Sequence, residues 1–159
     1  MKAASINELK TELKHLETDE LVALCLRLAK YKKENKELLD YMLFEASDER
    51  GYVQKIQEVI TEQFAEIPKG YNLYYAKKTI RKILRIANKY IKYSGQKTTE
   101  VEVRIFFLQT LKDSKIKIQD STALTNLYLQ QLKKINTVIK TLHEDLQYDF
   151  EQELKELEG

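Results

Sequence analysis

One proline in 159 residues, Pro68, and only four glycines leave almost nothing in this chain that breaks a helix. Leu, Lys, Glu, Ile and Gln dominate what remains, and all of them are accommodated in helices or favour them. The expectation is an all-α chain of about seven amphipathic helices in a single domain, 1–159. It would form an irregular bundle or a short α-solenoid-like stack with a long C-terminal helix. No apolar run is long enough to span a bilayer, and Met1 to His15 lacks the apolar centre of a secretory signal, so a cytoplasmic protein without a membrane partner is expected. Cys25 has no partner in the chain and sits in a leucine-rich pattern. That excludes an internal disulfide and reads as a buried, inert thiol.

Helix punctuation divides the chain. Ser5 with Glu8 forms a capping box, followed by Ile6, Leu9, Leu13 and Leu16, which predicts a first helix from about Ile6 to His15. Thr18 is placed to cap a second helix with Asp19 and Glu20 in its first turn, where the helix dipole favours negative charge. Lys32 to Lys36 reads as a turn, and a third helix should end near Ser47. Asp48 is placed to cap a fourth helix, which Pro68 and Gly70 stop. A fifth runs from about Asn72 to Tyr93, roughly 33 Å, until Ser94 and Gly95. Thr99 with Glu102 looks like a second capping box before a sixth segment. That segment is β-branched and partly alternating, but no other strand exists for it to pair with. Ser121 should cap a last helix extending unbroken to about Leu157. The expected core is Leu24, Leu28, Leu39, Leu43, Ile56, Ile60, Ile83, Leu84, Ala87, Leu108, Leu132, Ile135 and Ile139.

Two short similarities occur in the same order: 26–31 with 84–90, and 52–56 with 128–132. They fit either a three-helix duplication, about 18–66 and 72–157, or the ordinary likeness of Lys- and Leu-rich helices. The helix-pair pattern is similar to armadillo and HEAT-type scaffolds in general character alone, since none of their signature residues falls at the required period.

The residues that carry catalysis are sparse. His15 and His143 are far apart, and His143-Glu144-Asp145 lacks the second histidine of a zinc helix because position 147 is Gln147. The glycines are isolated, so no phosphate-cradling loop exists, and no nucleophile elbow or catalytic-cysteine signature is present. Asp145, Asp149 and Glu153 on successive turns read as a solvated helix face. No cofactor, metal or catalytic residue is assigned.

Charge is unevenly placed. The formal charge is +2, yet Ile67 to Thr99 holds nine Lys or Arg and no Asp or Glu, leaving 18 basic against 25 acidic residues elsewhere. At about 100° per residue, Lys78, Arg81, Lys82, Arg85, Lys89 and Lys92 fall within one arc of the fifth helix, with Tyr74 inside it. Like charges at i, i+4 repel, so the stripe is a solvated face, a partner for the acidic C-terminal end, or an anion-binding surface. It is read as exposed and as the most functional surface of the molecule. The leading expectation is a non-enzymatic helical adaptor or scaffold that binds another protein, with homodimerisation a variant of it. Nucleic-acid or polyanion binding through residues 72–93 is the alternative, and a small enzyme with a site between helices the third.

Overall fold

Ser5 opens the first helix as its sequence requires: its Oγ accepts from the Glu8 amide while Glu8 Oε2 accepts from the Ser5 amide at 2.7 Å. The structure, a computed structural model, describes residues 1–159. It is 81% helical without strand, so the chain is all-α, in eight α-helices. Residue contacts cluster into two compact units, Met1–Phe44 and Glu45–Gly159.

The first unit comprises α1 (Ile6–Lys14), α2 (Thr18–Tyr31) and α3 (Lys33–Asp40), which continues into a π-helical turn, Tyr41–Glu45, at the unit boundary. Two boundary expectations are corrected here. Glu17 rather than Thr18 occupies the N-cap of α2 and makes no side-chain cap bond, and Thr18 is already helical. The expected turn over Lys32 to Lys36 shrinks to Lys32, whose extended backbone alone separates α2 from α3. Asn35 makes so short a link possible, since its Nδ2 donates to the Leu28 carbonyl at 2.8 Å and satisfies an orphan at the end of α2. Helices α2 and α3 pack together.

The second unit comprises α4 (Glu49–Ala65), α5 (Leu73–Ser94), α6 (Lys97–Asp113), a 3-10 turn (Ile118–Asp120), α7 (Thr122–Ile139) and α8 (Glu144–Glu158). Asp48 and Ser121 cap α4 and α7 as expected, accepting from the Gly51 and Leu124 amides. Gly95 closes α5 in the left-handed region, φ 67°. All four other helices of this unit pack against α6, an arrangement of a bundle rather than a linear stack. Its central place explains the ambiguous sequence. Val101, Val103, Arg104, Ile105, Phe107, Leu108 and Leu111 are buried on every side of the helix, so no one-sided stripe survives to announce it.

Two further boundaries differ from expectation. Helix α6 begins two residues before Thr99, which is buried and donates its hydroxyl to Glu49 Oε1 at 2.6 Å; it ties α6 to α4 and caps nothing. The last helix is not continuous. Thr141 Oγ1 takes up the Val138 carbonyl, and His143 Nδ1 accepts from the Asp145 amide to start α8, with Glu144 and Asp145 in its first turn. This lets α8 turn back against α6 and α7, where Tyr128 donates its hydroxyl to the Leu157 carbonyl at 2.8 Å.

The expected core holds only in the second unit. Ile56, Ile60, Ile83, Ala87, Leu108, Ile135 and Ile139 are buried, while Leu84 and Leu132 are half-buried. In the first unit Leu24, Leu28 and Leu43 are exposed, Leu39 is half-buried, and Cys25, expected inside, is exposed. No residue of α1, α2 or α3 is buried.

Candidate functional site

Helix α5 is anchored by Ala76, Ile80, Ile83, Ala87 and Ile91, all buried, which turns the basic arc outward. Lys78, Arg81, Lys82, Arg85 and Lys92 are exposed and Lys89 is half-buried, its Nζ 4.9 Å from the Tyr90 ring centroid. No ion pair joins Lys78, Arg81, Lys82, Arg85 or Lys92 to α8, so the acidic end of the chain does not neutralise these five.

The packing divides the stripe. Tyr74, Lys78, Arg81, Arg85, Asn88 and Lys92 recur at alternating four- and three-residue spacing, one straight row along α5. Lys82 and Lys89 lie one row further round. Lys78, Arg81, Arg85 and Asn88 line a concavity of about 570 Å³. Asn88 also borders a second, of about 370 Å³, with Lys92, Glu100, Arg104 and Lys134. The last three continue into a third of about 450 Å³ with Lys133 and Thr137. Joined by shared lining residues, they run as a shallow groove from the α5 face, past Arg104 on α6, to α7.

Arg104 is only 6% exposed. Its Nη1 donates to Asn88 Oδ1 on α5 and to Gln131 Oε1 on α7, each at 2.8 Å. Nε and Nη2 lie 3.0 and 2.9 Å from Glu100 Oε1. The guanidinium fork thus ties three helices together, and Glu100, the one acid in the groove lining, is neutralised by it. Six cations remain around the groove: Lys78, Arg81, Arg85 and Lys92 from α5, Lys133 and Lys134 from α7. Sequence reasoning found the first four and missed the two on α7 and Arg104. A charged residue inside the apolar run Val101–Leu108 was the signal for the last.

A different side of the same unit is acidic. Glu102 and Glu153 border one concavity with Phe150 and Glu156. Burial first, and then the charge of Glu153 on Glu102 and of Asp149 and Glu156 on Glu153, pushes both carboxyls above the usual range. No three His, Cys, Asp or Glu side chains converge in a metal-holding group, and no helix is long and apolar enough to cross a membrane.

The first unit presents the other candidate surface. Of the 17 large hydrophobic residues that the chain exposes, 12 lie within residues 1–44, which concentrates them in little more than a quarter of its length. Leu26 is 49% exposed, Leu28 54%, Leu43 63% and Phe44 72%. On α2, Val22 and Leu26 occupy one side, and Leu24, Leu28 and Tyr31 lie about 140° to 240° round from them. A helix apolar on opposite sides belongs in an interior, and packing against α3 covers one side at most.

Comparison with known protein families, with curated proteins and with solved structures gives no match.

Proposed function

We propose that the chain is a non-enzymatic helical interaction module that binds protein through the apolar surface of residues 1–44, and that the occupant of this surface is a second copy of the same chain. The exposure of Leu26, Leu28, Met42, Leu43 and Phe44 carries the reading. Patches of this kind on soluble proteins mark interaction sites, and a unit of this size cannot bury enough of its own surface to offset the entropy of ordering it. Self-recognition is supported by charge. Residues 1–44 hold eight Lys or Arg and eight Asp or Glu, so two copies meet without net repulsion and mixed signs can register across a two-fold axis.

Light scattering on the full chain across a wide concentration range tests this. The expected result is a dimer that dissociates on dilution, and a monomer at every concentration contradicts it. Leu28→Glu and, separately, Leu43→Glu should shift the equilibrium to monomer with the helical circular dichroism retained. Variants that stay dimeric would also contradict the proposal.

A further inference from the structure

We propose that the groove between α5 and α7 binds single-stranded nucleic acid, its cations following the phosphodiester backbone and the tyrosines at one end stacking on bases. This goes beyond the interaction reading and does not depend on it, because every residue involved lies within 45–159.

Three observations favour an extended anion over a small one. From Lys78 to Lys92 the row rises about 21 Å, the length of roughly six nucleotides at 3.4 Å each. Cations come from two helices, with Lys134 on α7 sharing a concavity with Asn88 and Lys92 at the end of the α5 row and Lys133 beside it in the next. The groove's own acid is already bound to Arg104, so no carboxylate opposes an incoming phosphate. These cations pair with no carboxylate at the four α5 positions, so ligand phosphates would replace only water and counterions.

Aromatic content selects a single strand, whose unstacked bases are free to stack on exposed rings. At the head of the α5 row Tyr74 and Tyr75 are 55% and 65% exposed, with ring centroids 5.4 Å apart. Lys78 Nζ stands 4.6 Å from the Tyr74 centroid, so ring and cation occur together as backbone-and-base recognition requires. An acidic protein segment would use the cations and leave the tyrosines without a role.

Fluorescence anisotropy of the full chain with a labelled oligothymidylate of about 12 nucleotides tests the proposal. Binding should weaken steeply between about 50 and 200 mM salt. Arg81→Glu with Arg85→Glu, and independently Lys133→Glu with Lys134→Glu, should each lower affinity at least about tenfold. Each should also make the slope of log affinity against log salt shallower by about 1.4, two contacts at 0.7 each. Tyr74→Ala with Tyr75→Ala should weaken binding without changing that slope. Lys69→Glu with Lys117→Glu, the same charge change outside the groove lining, should leave affinity within about twofold. The proposal is overturned by no binding at low salt, or by an equal loss in the Lys69/Lys117 control. Equal or tighter binding of a duplex of the same length also overturns it, as does tighter binding of polyglutamate, which would assign the groove to an acidic protein.

Discussion

Removing the Arg104 guanidinium should be among the most costly single changes in residues 45–159. In Arg104→Ala, Gln131 Oε1 and Asn88 Oδ1 lose a donor at 2.8 Å, and Gln131 is itself buried. An acceptor left unsatisfied in such a place costs about 1 to 3 kcal/mol. Glu100 loses its counter-ion as well, and breaking a buried pair costs about 3 to 5 kcal/mol. The Glu100 side chain is 26% exposed and water relieves part of that charge, so the working figure is the lower end, about 3 kcal/mol. Urea unfolding followed by circular dichroism at 222 nm reads the loss as a fall in midpoint at constant slope. Glu100→Gln added to Arg104→Ala should recover about 1 kcal/mol, because the stranded charge is gone. A loss below about 1 kcal/mol for the single variant, or no recovery in the double, would refute the view that Arg104 holds α5, α6 and α7 together.

Further outcomes follow from the same packing. Ile83→Ala should cost about 2 to 5 kcal/mol, while its neighbour Leu84, half-buried in the groove lining, should cost about 1 in the same denaturation assay. Gly95→Ala should cost about 1 kcal/mol, because the residue closes α5 at φ 67°, and thermal melting reads this directly. Glu153 keeps its proton in the folded chain at a pH where the unfolded chain has released it. Its contribution is therefore full below the ordinary value of 4.5 and is lost as pH rises through the raised one. Glu153→Gln should stabilise the fold near neutral pH by less than about 0.5 kcal/mol for so exposed a group, read as a small rise in melting temperature, with the gain vanishing near pH 4. Cys25, exposed on α2, should react with a thiol reagent in dilute native protein without denaturant and react more slowly as protein concentration rises.

What the sequence made legible was local. Ser5 with Glu8, Asp48, Asn72 and Ser121 open helices as their side chains dictate, and Gly95 ends one, since each event is decided within four residues. The outward basic row of α5 was legible for the same reason, because its inner face is uniformly apolar. Burial in the first unit was not legible. Helical periodicity shows which face of α2 should be covered but not whether this chain supplies the cover, and Leu24, Leu28 and Cys25 were misplaced on that account. The break before His143 was missed because it uses neither glycine nor proline, only a threonine and a histidine that take over backbone bonds. The α7 end of the groove was hidden for a further reason. Lys133 and Lys134 lie about 50 residues beyond the α5 row and meet it only through the three-helix packing around Arg104.

The claim on which the functional reading turns is that the apolar surface of residues 1–44 is closed by a second copy. Hydrogen exchange of the full chain, compared between dilute and concentrated protein, measures this segment by segment. The account predicts added protection at high concentration confined to α1, α2, α3 and the turn that follows, with exchange in 45–159 unchanged. Protection that does not depend on concentration, or that rises in α5 to α8 instead, would contradict it.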